Sequence, residues 1–301
     1  MTPPTPPAPP APVWQRLRRD RVATACAALL LLLVLAALAA PLVTALTGHP
    51  PDQLHPERLD PDRGGLPLGP AGGIGTGFWL GVEPGTGRDL LSRAVHGARV
   101  SLAVAFGAAA LTALLGTAAG LCAGYFGGRV DAALGRLTDL FLCFPALVSM
   151  IALAAVLPDL PRLPLLIGLL SAFAWPALAR LVRAETITLC GQGFVEAAEA
   201  AGRSPRSVLL RELLPHLAAP LSVHTALAVP AFIETEAALS FLGLGVQPPT
   251  ASWGQMLSTA APWLTTDPEY ALVPGTLLLL TTLSCHLLGD GLRAALDPRG
   301  R

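Results

Sequence analysis

The sequence predicts an all-α, polytopic membrane protein with six transmembrane helices and a helical knob on its cytoplasmic face. Three observations carry that prediction. The 301 residues are 52% hydrophobic and only 13% charged, about half the charged share of an ordinary soluble domain. Charge-free runs long enough to cross a bilayer recur along the chain, and the mean hydropathy is +0.58. The basic residues, all of them Arg, concentrate on one side of those runs.

Residues 1–21 form a cytoplasmic tail, in which TPPTPPAPPAP is too rich in Pro for helix or core and Arg16, Arg18, Arg19 and Arg21 make a basic flank. The run 22–46 carries no charge. It is too long for a cleavable signal and is expected to be retained as the first span. Residues 47–99 read as an extracytoplasmic loop, Pro- and Gly-rich as far as Trp79. Within GRDLLSRAVHGAR, Leu90, Leu91, Ala94 and Val95 form the apolar side of a short interfacial helix, which would put Arg88, Arg93 and Arg99 in water or among headgroups.

Residues 100–290 hold the other runs: 100–126, 140–157, 163–179, 217–233 and 271–289. Pro158, Pro161 and Pro164 predict a tight helical hairpin between the third and fourth spans, and Pro215, Pro220 and Pro230 predict kinks along the fifth. Residues 291–301 are a short cytoplasmic tail. With the N-terminus inside, six arginines fall outside (Arg58, Arg63, Arg88, Arg93, Arg99, Arg162) and the other fourteen of the twenty fall inside. The positive-inside rule favours that sense and puts both termini in the cytoplasm.

Composition also excludes chemistry. The chain has no Lys, so it has no P-loop Lys to reach ATP phosphates, and any ATP must be split by another chain. A net charge of zero offers no basic stripe for nucleic acid. Cys26, Cys122, Cys143, Cys190 and Cys285 are widely spaced without a C-x-x-C, and the six His lack metal-ligand spacing, so neither a metal nor a bound cofactor is expected. Among carboxylates near span ends, Asp139, Glu234, Glu236 and Asp290 read as interfacial, with Glu234 and Glu236 kept as candidates for an outer vestibule. Gly243 and Gly245 lead into Gln247-Pro248-Pro249 and read as a helix-ending turn, not a phosphate loop.

The connection 180–215 is more structured than a linker. Glu196 to Ala201 is strongly helix-forming, with Glu196 and Glu199 near its start, and Gly202 is placed as a left-handed stop. Ser204 then stands as N-cap and Pro205 as first residue of a second surface helix running into LLRELLP. Ala197 and Ala198 leave a small, smooth face that a partner could approach.

Here the sequence resembles a known family. Glu196-Ala197-Ala198, Gly202 and Leu214-Pro215 match the E-A-A, G and L-P positions of the cytoplasmic loop of permeases from binding-protein-dependent ABC transporters. GRDLLSR at 87–93, GARVSL at 97–102, LSFLGLG at 239–245, QPPT at 247–250, SWG at 252–254 and GDGLR at 289–293 look like the second permease of dipeptide, oligopeptide and nickel importers. The resemblance implies that Glu196, Ala197, Ala198, Gly202, Leu214 and Pro215 form a coupling helix and its setting, seated in an ATPase subunit. It implies a heteromer with a second permease, two ATP-binding subunits that use ATP-Mg, and an extracytoplasmic solute-binding protein. Peptide is the implied cargo, with nickel or another small solute as the alternative. Two other classes fit the composition: an ion-coupled secondary transporter working alone, and a membrane scaffold without transport.

Overall fold

The computed structural model describes residues 20–296; the expected Pro-rich tail, most of its basic flank and the last residues of the C-terminal tail lie outside them. Some of the helices start where a side chain supplies a cap. The Asp20 carboxylate accepts from the N–H groups of Val22 (2.9 Å) and Ala23 (3.2 Å) and opens α1, Arg21–Leu38. A break at Ala39 precedes α2, Ala40–Thr47, where Pro41 has no N–H to continue the ladder.

Asp89 caps the next helix by accepting from Ser92 N–H at 2.9 Å, and α3 then runs without interruption over Leu90–Phe126. This corrects the expected interfacial helix. Nothing between Leu90 and Arg99 breaks the hydrogen-bond ladder, so those residues are the first turns of a 37-residue helix. The expected run 140–157 is also corrected. It is split between α4, Gly128–Cys143, and α5, Ala146–Val156, which meet at 84°. Pro145 excludes helical backbone from the residue before it, and Phe144 is extended at φ −87°, ψ 136°.

The Pro-marked turn is where the sequence places it, with Pro161 at the N-cap of α6, Arg162–Cys190. Arg180 and Arg183 are therefore helical residues of α6 and do not begin the connecting loop. After α7, Gly193–Ala200, a single rod α8 occupies Pro205–Phe241. Its first turn, Pro205–Ser207, passes into a π-helical stretch, Val208–Leu213, and then into α-helix from Leu214. The expected separate surface helix is thus the start of a span. A wider turn ahead of Pro215 moves aside the carbonyl that its ring would otherwise strike. α9, Trp253–Ala260, is capped by Ser252 Oγ, which accepts from Gln255 N–H at 3.1 Å, and α10 covers Pro268–Leu296.

Five of these helices are long and apolar enough to cross a membrane, six if the bent α4–α5 pair counts as one. Two of them, α3 and α6, pack in close contact because Gly recurs every fourth residue of α3. A Cβ on Gly116 would lie 2.8 Å from Leu178, one on Gly120 2.6 Å from the Ala179 carbonyl oxygen, and one on Gly124 2.6 Å from Thr186. Small residues at that spacing let backbones approach where lipid supplies no hydrophobic drive. The main apolar core joins α3, α6, α8 and α10 through residues such as Val104, Leu166, Ile233 and Cys285. A second cluster lies under α7, and a third, around Leu90, Met256 and Tyr270, closes the opposite end. There the segment 48–89 adds a two-stranded antiparallel hairpin, β1 Leu59–Asp60 with β2 Leu66–Pro67.

Candidate functional site

At one end of the bundle α7 lies across the ends of three long helices. Val195 and Ala198 point inward and join Leu121 of α3, Leu178 and Val182 of α6, and Val208, Leu213 and Leu217 of α8. Glu196, Ala197, Glu199 and Ala200 face outward. The expected smooth face of two adjacent Ala is thereby corrected: helical periodicity buries Ala198 to 8% exposure and leaves Ala197 outside. Leu214 packs partly against the same cluster, whereas Pro215 is exposed on the rod.

The helix stop is as expected. Gly202 has φ 76°, its N–H donates to Glu199 O at 2.9 Å, and Arg203 N–H donates to Ala198 O at 3.2 Å, the paired bonds of a Schellman motif. Ser204 occupies the N-cap position, but its side chain makes no capping bond; its carbonyl accepts from Ser207 and Val208 instead. Polar and aromatic contacts tie α7 to its neighbours. Tyr125 OH at the end of α3 donates to Glu199 Oε1 at 2.8 Å, and Phe194 stacks on His216 of α8 with ring centroids 4.6 Å apart. Arg203 and Glu212 form an ion pair that closes the turn between α7 and α8.

The two vestibule candidates separate. Glu234 is exposed, with His286 of α10 at 3.7 Å. Glu236, two residues on, is fully buried, which corrects the expectation that it is solvated at an interface. Its Oε2 accepts from Ser101 of α3 at 2.9 Å and its Oε1 from Ser240 at 2.7 Å. Ser101 Oγ also accepts from Trp253 N–H at 3.3 Å, and Ser240 Oγ from Val246 N–H at 3.0 Å. Glu236 is therefore a junction between α3, α8 and the start of α9, each hydroxyl relaying it to a backbone group. The turn after α8 is closed by Gly243 at φ 75°, a helix end and not a phosphate loop.

The network at the opposite end escapes sequence reasoning. Arg93, expected among headgroups, has a fully buried side chain. Its Nη2 donates to Gln255 Oε1 at 2.8 Å and its Nη1 to the carbonyls of Pro51 and Pro249, each at 3.3 Å. Glu83 Oε1 stands 3.8 Å from Arg93 Nε, Arg88 lies 3.6 Å from Glu83 Oε2, and the Glu83 carboxylate accepts from Tyr270 and Thr86 hydroxyls. Beside it, burial and the neighbouring Glu269 push the Asp267 carboxyl up to about 6. The only sequence signal for this network is the crowding of three Arg into a segment expected to lie outside the membrane. Asp131, Asp139, Arg180 and Arg183 also pair across α4 and α6. Among the described residues no group of three or more His, Cys, Asp or Glu side chains is arranged to hold a metal ion.

Long apolar helices, Gly-mediated packing and a short helix clasped across one end define a polytopic membrane protein. Comparison with known proteins makes this specific. Residues 114–301 match the family described as binding-protein-dependent transport system inner membrane component, and residues 11–61 match the N-terminal TM domain of oligopeptide transport permease C. A dipeptide transport system permease protein of Alkalihalophilus pseudofirmus is 38% identical over 222 residues, 73% of this chain and 72% of the relative. A glutathione transport system permease protein of Pectobacterium atrosepticum is 37% identical over 227 residues, 75% of this chain and 74% of the relative. The inward-facing MetNI methionine ABC transporter shares the fold, with a TM-score of 0.53 at 20% identity over 67% of this chain and 95% of that one.

The chain belongs to the family of binding-protein-dependent transport system inner membrane components, as an OppC-type permease. It is a multi-pass protein of the cytoplasmic membrane and part of an ABC transporter complex whose ATPase subunits are separate chains. It is not itself an enzyme and binds no cofactor.

Proposed function

We propose that this chain carries small peptides, glutathione among them, through the membrane as one of two unlike permease subunits. Two ATPase subunits would sit beneath the pair, and an extracytoplasmic binding protein would deliver the cargo. The relatives support the cargo: one is a dipeptide permease and the other a glutathione permease. Glu196, Ala197, Ala198 and Gly202 would make α7 the coupling helix, with Leu214 and Pro215 fixing the rod it leads into. The observation that carries this reading is that α7 is clasped by α3, α6 and α8 at once while Glu196 and Ala197 stay outside. A push on that outer face is passed to three spans, which gives an ATPase and a translocation route a shared two-state element.

The orientation puts α7 and both termini in the cytoplasm. Pairing of Arg88 and Arg93 with Glu83 supports it, because these outer arginines then carry little free charge against the positive-inside rule. Glu234, exposed on α8, remains the candidate for the outer vestibule. In the assembled complex, Ala197→Cys should crosslink to a groove of an ATPase subunit, and uptake should need ATP together with every component. Failure of Ala197→Cys to capture an ATPase subunit would overturn the coupling assignment, and gradient-driven transport by the purified chain alone would overturn the importer reading.

A further inference from the structure

The segment that carries α7 and the start of α8 leaves two arginines unused. Six charged residues fall between Gly193 and Pro215: Glu196, Glu199, Arg203, Arg206, Arg211 and Glu212. Arg203 pairs with Glu212, and Glu199 accepts from the Tyr125 hydroxyl. Glu196 stays exposed on α7. Arg206 and Arg211 stay exposed on the first turns of α8, where neither forms an ion pair with a described residue. Both line one cavity of about 500 Å³ with Ser204, Ser207 and Leu210. Residues five apart stand about 140° apart around an α-helix. The π-helical stretch opens at Val208, between the two arginines, and a turn that takes in about one residue more brings them back to one side. The Ser204 side chain makes no capping bond, which leaves its hydroxyl free to donate within the cavity. Two cations and two hydroxyls, with no acid in the lining, fit a carboxylate or a phosphate.

Two sources of such a group could face this end of the bundle, a lipid headgroup and a partner protein. Distance decides against lipid. Arg206 stands eleven residues before Leu217, where the charge-free run of α8 begins, so it lies about 16 Å beyond the start of that run. The headgroup layer on one side of a bilayer is only about 5–8 Å thick. A protein seated on α7 is close enough. Residues 201–204 alone separate α7 from α8, and four residues span at most about 14 Å. A standard interface of about 800 Å² per partner is roughly 30 Å across, so a subunit covering Glu196 and Ala197 also covers the cavity. The surface it meets is polar in the directional sense, with a free acid on α7 and two free bases on α8.

We propose that the pocket of Arg206 and Arg211 receives an acidic side chain of the ATPase subunit, and that this contact, opposite in sign to Glu196, fixes the direction in which the subunit seats. A subunit turned end for end sets its acid against Glu196 and leaves both arginines unpaired, which disfavours the wrong seating. The inference rests on the reading of α7 as the coupling helix and adds to it a second contact, outside the E-A-A, G and L-P positions.

The test uses the complete transporter, with the five native cysteines of this chain replaced by Ser. A photo-crosslinker attached at Ser207→Cys should capture the ATPase subunit, at a segment that mass spectrometry shows to carry Asp or Glu. Ala197→Cys serves as the reference probe. In parallel, the Arg206→Gln, Arg211→Gln double variant should bind the ATPase subunits roughly tenfold more weakly at about 0.1 M salt and lose most of the salt dependence. Arg206→Lys with Arg211→Lys should stay within about twofold of the wild type, because the charge is kept. If Ala197→Cys captures the ATPase subunit while Ser207→Cys captures only lipid, another permease or nothing, this inference falls alone. Equal weakening by the Gln and Lys pairs, or none by either, overturns it as well. Capture by neither probe overturns the coupling assignment and this contact together.

Discussion

The two ends of the bundle hold their charges in opposite ways. At one end, Arg93 and Glu83 are withdrawn from solvent and bonded to backbone carbonyls, an amide and hydroxyls from segments far apart in sequence. At the other, Glu196 and Glu199 remain in solvent, and α7 is attached by one phenol–carboxylate bond, one ring stack and an apolar cluster of Leu, Val and Ala side chains. A buried, mutually satisfied network is strongly cooperative and moves as a block or not at all. Apolar packing is non-directional and, with few polar contacts beside it, lets a short helix shift without stranding a buried polar group. The Arg93–Glu83 end is thus built as a fixed brace and the α7 end as a joint.

The severest challenge to the brace is Arg93→Ala. It leaves Gln255 and two backbone carbonyls without their donor and Glu83 with Arg88 as its remaining cation, and loss of one partner from such a buried network costs up to about 3–5 kcal/mol. The expected outcome is a poorly folded chain with a much reduced yield of assembled complex, measured by co-purification with the partner subunits. Next comes Gly202→Val at the joint. The space around Gly202 is open, so only the left-handed backbone at φ 76° resists a side chain, at about 1–2 kcal/mol. The complex should still assemble, but uptake per ATP hydrolysed should fall several-fold; unchanged stoichiometry would count against the joint.

Tyr125→Phe is milder. It deletes one solvent-exposed hydrogen bond to Glu199, worth about 0.5–1 kcal/mol. Stability should barely change, while the transport-to-hydrolysis ratio drops modestly, and a similar drop in Glu199→Ala, with Glu199→Gln retaining an acceptor and most of the coupling, would identify the bond as the cause. A further prediction concerns pH at the brace. Asp267 is raised from its ordinary 3.8 to about 6, first by burial and then by Glu269. The folded chain therefore holds that proton more tightly than the unfolded chain, so its contribution is favourable at low pH and is lost as pH climbs from about 4 to about 6. Thermal melting in detergent, monitored by Trp fluorescence, should show a decline over that window that Asp267→Asn flattens.

Helix content, the order of spans and the Gly202 stop are legible in the sequence because each rests on local chemistry. Gly202 ends α7 as its position predicts, whereas Ser204, equally well placed, makes no side-chain cap. The departures from expectation share another origin. A charge-free run does not measure a helix, because a helix ends where its hydrogen bonds end. Hence Pro145 splits a run that contains no charge, while α6 passes through Arg180 and Arg183 to Cys190. Those arginines are tolerated there because Asp139 and Asp131 face them from α4, and Arg93 is tolerated in its site because Glu83 and Gln255 meet it. Residues far apart along the chain supply each partner, and no local window reveals that. Glu236 is the same case, its hydroxyl partner Ser101 lying 135 residues away.

The widened stretch at Val208–Leu213 works as a spacer. A π turn takes in about one residue more than an α turn for nearly the same rotation and advance, so it absorbs an extra residue while the helix on either side keeps its phase. The inward faces of Val208 and Leu217 therefore stay aligned along one rod across the stretch, and both reach the same apolar cluster beneath α7.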